Sequence, residues 1–172
     1  MVSPLIVIFA REDDRHAVAV AGILERNHGK AVSIVNLSAF PALLRLGARF
    51  SPVERGGFFI DPQGRRTDFA AIKSFWWRRP QALLPDSAIT DAQAQQFAVQ
   101  ESLSALYGVL RCCPGLWVND IEHDSNADYK PRQLAAMQRI GLPLPDTLIT
   151  NDPDEARVVV AEQVCFVAEQ RR

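Results

Sequence analysis

Leu5-Ile6-Val7-Ile8-Phe9 is apolar at every position. A strand wetted on one face alternates, so an unbroken run this short belongs to a strand buried on both faces, the central place in a parallel sheet. Parallel strands are joined by crossovers, and the following residues supply one. Asp13 or Asp14 stands where a helix cap is needed, Ala17, Val20, Ala21 and Leu24 share one helical face, and Gly29 follows at the carboxyl end. Ala31–Val35 then reads as the second strand of a right-handed βαβ unit.

Between residues 36 and 68 the pattern breaks into short pieces at Pro41, Gly47, Pro52, Gly56-Gly57 and Asp61-Pro62-Gln63-Gly64. Phe58-Phe59-Ile60 and the turn around Gln63-Gly64 predict a small antiparallel hairpin inserted into the α/β alternation. Ile72–Trp77 returns to strand character and stops at Arg78-Arg79-Pro80, since proline cannot donate to a ladder. Thr90 with Gln93 forms a capping-box signature for a long helix ending at Arg111, with Phe97, Leu103, Leu106, Val109 and Leu110 as its apolar positions. Pro114 ends it, and Leu116-Trp117-Val118-Asn119 predicts a strand. A polar loop to Asp128, a helix over 131–140 closed by Gly141 and Pro143, and a short strand at Thr147-Leu148-Ile149 are expected next. Asp152-Pro153-Asp154-Glu155 combines a cap, a proline at the first helical position and first-turn acids, predicting a helix to about Glu162 and a last strand at Val164-Cys165-Phe166-Val167.

Charge and composition narrow the function. The formal net charge is -1, from 19 basic and 20 acidic residues in 172, so the whole-molecule field attracts neither nucleic acid nor an anionic membrane. Its distribution is uneven: residues 1–86 carry 12 Lys/Arg against 8 Asp/Glu and residues 87–172 carry 7 against 12, giving +4 and -5. Cys112, Cys113 and Cys165 make no disulfide framework, which suits a cytoplasmic, reducing compartment. The opening MVSPLIVIFA runs straight into Arg11-Glu12-Asp13-Asp14 without a basic leader, and no run is long enough to span a bilayer.

Familiar catalytic patterns are missing. The first βα turn has no glycine, so it cannot form a G-x-G-x-x-G phosphate cradle, and no P-loop, zinc spacing or G-x-S-x-G elbow occurs. His16, in the first turn of a helix, reads as solvated, His28 as a helix-end residue, and His123 as part of a polar loop. Trp76-Trp77-Arg78-Arg79-Pro80 is the most unusual stretch. Alternation sends one indole into the core and the other to the opposite layer, and delivers two guanidiniums to the carboxyl edge of the sheet, where open parallel sheets bind ligands. A planar guanidinium fork suits carboxylate or phosphate capture. Arg78 and Arg79 are thus either ligand-binding residues or buttresses paired with acids such as Glu101 or Asp120.

The ordered combination of Arg11-Glu12-Asp13-Asp14-Arg15-His16-Ala17, Phe75-Trp76-Trp77-Arg78-Arg79-Pro80, Leu116-Trp117-Val118-Asn119, Asp128-Tyr129-Lys130-Pro131-Arg132-Gln133-Leu134 and Gly141-Leu142-Pro143-Leu144-Pro145-Asp146-Thr147-Leu148-Ile149-Thr150-Asn151-Asp152-Pro153 spans nearly the whole chain. It resembles the MvdD-like pre-ATP-grasp domain, and its junction with the ATP-grasp fold, of microviridin-type (graspetide) peptide maturases. The resemblance implies a three-layer α/β, Rossmann-like domain with a mostly parallel sheet over residues 1–126, and a linker with the beginning of an ATP-grasp subdomain over 127–172. In that family ATP and magnesium activate a side-chain carboxylate of a ribosomal peptide as an acyl phosphate, which a hydroxyl or amine of the same peptide attacks.

For this chain the resemblance implies the substrate-side domain of such a ligase, with an acidic ribosomal peptide as partner. Arg78 and Arg79 are its candidate substrate-binding residues, and no catalytic, cofactor-binding or metal-binding residue is assigned. ATP and magnesium belong to the full-length family, whose nucleotide-binding lysines and acidic metal ligands would follow residue 172, so the chain alone is expected to be catalytically silent. The alternative is a non-catalytic peptide-binding module, or one that forms a homodimer or pairs with a full-length ligase.

Overall fold

The computed structural model describes residues 5–53 and 55–161. The chain separates into two compact units, Met1–Ile121 and Glu122–Arg172. The first runs β1 (Leu5–Phe9), α1 (Arg15–His28), β2 (Ala31–Val35), β3 (Arg45–Phe50), β4 (Arg55–Ile60), β5 (Arg66–Asp68), β6 (Ile72–Trp77), α2 (Ala92–Arg111) and β7 (Leu116–Val118). Four strands form a parallel sheet in the order β2-β1-β6-β7, and three form an antiparallel sheet in the order β3-β4-β5.

β1 is internal to the parallel sheet, as its unbroken apolar run requires, and Val7, Ile8 and Phe9 are all fully buried. Its alternation splits the core in two. Val7 and Phe9 join Phe75, Trp77, Leu106 and Leu110 on the face covered by α2, while Ile8 joins Ala17 and Ala21 on the face covered by α1. α1 starts at Asp14, whose carboxylate accepts from the backbone N–H of His16 (3.0 Å) and Ala17 (2.9 Å), and ends at Gly29 with φ 58°. The two indoles part as strand alternation demands: Trp77 is buried with α2, and half-buried Trp76 packs against the α1-side cluster.

Aromatic rings fill the α2 side. The Phe9 ring lies between 5.5 and 6.2 Å from the rings of Phe59, Phe75, Trp77 and Trp117, and Phe75 stacks on Trp117 at 4.2 Å. Phe59 comes from β4, so the antiparallel insertion closes this layer rather than hanging from the domain.

Several expectations need correction. The expected hairpin is there as β4 and β5, turning at Asp61–Gly64, and a third strand extends it: Arg45 and Arg49 with Gly47 between them disguise β3 as a loop, although Leu46 and Ala48 alternate correctly. The α2 cap is Asp91, which accepts from Ala94 N–H at 2.8 Å, in place of Thr90. Phe97 is 68% exposed, because Val99, Leu103, Leu106 and Leu110 set the buried stripe and Phe97 stands about 200° around the helix from Val99.

In the second unit, α4 (Lys130–Arg139) and α5 (Pro153–Ala161) match the expected helices; α5 is capped by Asp152, which accepts from Asp154 N–H at 2.9 Å. Residues before α4 form α3 (Ile121–Ala127) where a polar loop was expected, with Glu122 and Asp124 in the first turn complementing the helix dipole, and His123 therefore lies on a helix. Thr147-Leu148-Ile149 forms no strand; prolines at 143, 145 and 153 punctuate the segment, and Thr147 instead bonds back to the Pro145 carbonyl at 2.9 Å. Ile140 and Ile149 are 73% and 55% exposed, and Leu148 is half-buried. The strand expected over 164–167 lies outside the described residues.

Candidate functional site at the carboxyl edge of the parallel sheet

The chain that leaves β6 is latched to the end of β1. Arg78 and Arg79 both donate their backbone N–H to the Phe9 carbonyl, at 3.2 and 3.3 Å. Arg78 continues the Trp76 face toward α1, and Arg79 turns to solvent, where its carbonyl accepts from the Gln81 side chain at 3.1 Å. The two guanidiniums are thus separated, as successive strand residues must be.

Arg78 stands beside the α1 cap. Its Nε is 3.8 Å from Asp14 Oδ1, with the two side chains only 19% and 15% exposed, and its guanidinium carbon is 5.9 Å from the Trp76 ring centroid. That separation is too long for a hydrogen bond, and the buried Nε has no hydrogen-bond partner. The Ala17 backbone N–H, together with the Arg78 guanidinium and against the opposing effect of burial, holds the Asp14 carboxyl below its usual range. The carboxylate beside Arg78 is that of Asp14: the helix cap brings it to the end of the neighbouring strand.

The three acids after β1 do three different things. Asp13 forms a two-pronged ion pair with Arg11, at 2.9 and 2.6 Å, out in solvent. Asp14 caps α1. Glu12 lines a cleft of about 230 Å³ between the end of β2 and the antiparallel sheet, with Asn36, Leu44, Phe59, Asp61 and Arg65 around it. In that cleft Asp61 is satisfied by its own turn, accepting from the Gln63 and Arg65 backbones at 3.0 and 2.8 Å and from Arg65 Nε at 2.7 Å.

Sequence reasoning placed Arg78 and Arg79 at this edge but did not foresee the Asp14 contact or the cleft. The i and i+3 capping geometry of Asp14 was legible; its meeting with residue 78 depends on β1 and β6 being neighbours, a long-range fact.

The β1–α1 turn offers no glycine for a phosphate to approach, and among the described residues no group of three His, Cys, Asp or Glu side chains could hold a metal ion. Among them, too, no helix is long and apolar enough to cross a membrane. What the edge carries is the Arg78 guanidinium, 19% exposed, beside the Asp14 carboxylate.

No curated protein matches the chain in sequence. Among solved structures, it is similar to the macrocyclase MdnC of Microcystis aeruginosa MRC, solved with the precursor peptide MdnA: 19% identity, TM-score 0.80, covering 92% of this chain and 51% of that one. The macrocyclase MdnB of the same organism gives 23% identity and a TM-score of 0.81, over 92% and 51% of the two chains. A RiPP-associated ATP-grasp ligase of Chryseobacterium gregarium, solved with ADP and a leader and core peptide, gives 23% and 0.78, over 94% and 48%. The chain spans about half the length of these proteins, and at such identities the likeness speaks for the fold. The sequence pattern of the MvdD pre-ATP grasp domain matches residues 5–125, which contain every strand of both sheets, and the chain belongs to that family.

Proposed function

We propose that this chain supplies the substrate-side domain of an ATP-dependent peptide-modifying ligase, and that Arg78 holds a carboxylate of the peptide at the carboxyl edge of the sheet. The single observation behind the site is the partly exposed Arg78 guanidinium at the carboxyl edge of the sheet, 3.8 Å from a carboxylate already engaged by two backbone N–H groups. The reaction in this reading is the one the resemblance to graspetide maturases implies: carboxylate activation as an acyl phosphate, then ester or amide formation; membership of the pre-ATP-grasp family supports it. The similar ligases solved with precursor peptides support a peptide as the partner.

In this reading Arg78 and exposed Arg79 bind and orient. ATP and magnesium supply phosphoryl transfer in the longer ligase, and no step of that chemistry is assigned to a residue of this chain. The purified chain is expected to turn over no ATP, with or without an acidic peptide; turnover would overturn that part.

Melting temperature and affinity for an acidic peptide, measured side by side on Arg78→Gln and Arg79→Gln, test the site. Weaker and less salt-sensitive binding with the fold intact is expected. Loss of stability with unchanged affinity at both positions would reduce the pair to a buttress.

A second reading, a non-catalytic binding or dimerisation module, draws on the α1 side of the sheet. There Leu116 and Val118 are 66% and 48% exposed beside half-buried Trp76, an apolar surface α1 leaves open. Sedimentation showing a strict monomer over a wide concentration range would exclude the homodimer.

A further inference from the structure

The outer face of the antiparallel sheet has an organisation that its core-facing side does not need. One cross-strand row is Arg45, Ile60, Arg66, and the next is Gly47, Phe58, Asp68. Neighbouring positions on β4 point the other way: Phe59 is buried in the core, and a side chain at Gly57 would collide with the Phe69 ring. The face carrying Phe58 is thus the solvent face.

Phe58 is bedded on it between two unlike partners. A Cβ at Gly47 would stand 2.4 Å from the far end of the ring, so the ring occupies the space a side chain there would need, and the Arg66 guanidinium covers it at 3.5 Å from the centroid. Arg66 is held there by Asp68 at 2.6 Å, an exposed pair. Arg45 closes the other end of the same row, about 9 to 10 Å away at ordinary strand spacing. Arg49 shares the face and is already engaged within the chain. Leaving Arg49 aside, two arginines face one aspartate, so this face is net positive in a molecule whose net charge is -1. β3 is also an edge strand, which offers main-chain donors and acceptors to an extended segment alongside it.

We propose that this face, with Arg45 and Arg66 at the two ends of the row beside Phe58, docks an extended acidic peptide segment. The preset, stacked guanidinium of Arg66 and the opposite Arg45 take carboxylates, and Phe58 with Ile60 gives the apolar ground between them. This deepens the peptide-ligase reading and rests on it: the segment docked here belongs to the peptide whose carboxylate Arg78 would hold.

Fluorescence anisotropy of the full chain with a labelled peptide of alternating glutamate and threonine tests the surface. A lysine–threonine peptide of equal length and oligothymidylate serve as comparisons. Arg45→Gln and Arg66→Gln should each weaken glutamate-peptide binding about two- to fivefold, the size of an exposed guanidinium–carboxylate pair. The double variant should also flatten the salt dependence, and Arg139→Gln in the second unit should change nothing. Should Arg66→Gln disturb the Phe58 seat, as judged by circular dichroism and melting, Arg66→Lys keeps the charge and Arg45→Gln alone decides. Unchanged affinity in the double variant, equal binding of the lysine peptide, or oligothymidylate bound as tightly as the glutamate peptide would overturn the proposal. If Arg78→Gln weakens binding while Arg45→Gln and Arg66→Gln do not, this surface fails and the ligase reading stands. If the wild-type chain binds no acidic peptide, the ligase reading itself fails.

Discussion

Arg78 Nε lies 3.8 Å from Asp14 Oδ1, and that one oxygen is also the acceptor for the His16 and Ala17 backbone N–H groups that begin α1. One carboxylate therefore links the start of the first helix to the end of β6. Removing either partner has a different consequence, because Asp14 makes two hydrogen bonds and a charge contact while Arg78 Nε makes no hydrogen bond.

Asp14→Ala should destabilise the domain by about 1 kcal/mol from the lost cap alone, read by urea denaturation. Asp14→Asn keeps an acceptor and isolates the charge. The folded carboxyl titrates below the ordinary 3.8, so its charge-linked stability is fully present above that value and is lost as pH falls through the lowered folded value. The wild-type advantage over Asp14→Asn should be constant near neutrality and vanish in acid. An advantage that grows on acidification would contradict the contact.

Trp76 and Trp77 are adjacent in sequence but not equivalent in the fold. Trp77, 5% exposed and packed edge-on to Phe9 and Tyr107, should cost about 3 to 5 kcal/mol when changed to alanine. Half-buried Trp76 should cost on the order of 1 to 2 kcal/mol. Equal losses in denaturant melts would mean that both indoles are core.

How much of this was legible depends on whether a signal was local. β1, α1 with its Gly29 end, β2 and β6 were readable because apolar runs, caps and a stop at Arg78-Arg79-Pro80 are written within a few residues. β3 was not, since its Gly47 makes sense only once Phe58 lies across it from the next strand. The α3 helix has little apolar periodicity to announce it, with Ile121 its buried residue. Arg78 and Arg79 could be placed at a sheet edge from strand direction, but their separate surroundings follow from Phe9, Asp14 and Trp76, which only the strand order brings together. The docking face around Phe58 was hidden for the same reason, its arginines lying 21 residues apart in the chain.

Adjacent Cys112 and Cys113 should differ sharply toward iodoacetamide. Burial, with the neighbouring Cys112 contributing, pushes the Cys113 thiol up to about 12, and Cys112 is exposed at the end of α2. The thiolate is the reacting species, so Cys113 should stay unmodified near neutral pH while Cys112 is labelled. Peptide mapping by mass spectrometry on a Cys165→Ser background reads both sites. Early labelling of Cys113 in the folded chain would contradict its burial.

The last prediction sets two glycines of the antiparallel sheet against each other. A Cβ at Gly47 would meet the Phe58 ring at 2.4 Å, whereas one at Gly56 would meet nothing within 4 Å. Both sit in strands, where alanine should otherwise be favoured over glycine by reducing unfolded-chain entropy, by about 0.4 to 1 kcal/mol. Gly56→Ala should therefore be neutral or mildly stabilising. Gly47→Ala must lift the ring off its bed, and Phe58 is covered on its outer side by Arg66, so the overpacking should cost about 1 to 3 kcal/mol. Shortening the ring relieves the clash: Phe58→Leu should recover part of the Gly47→Ala loss in a double-mutant cycle, a non-additivity expected only for residues in contact. Thermal melts of the wild type, the three single variants and the double variant decide it. Strict additivity, or a Gly56→Ala loss equal to that of Gly47→Ala, would show that β3 and β4 are not registered with Gly47 opposite Phe58.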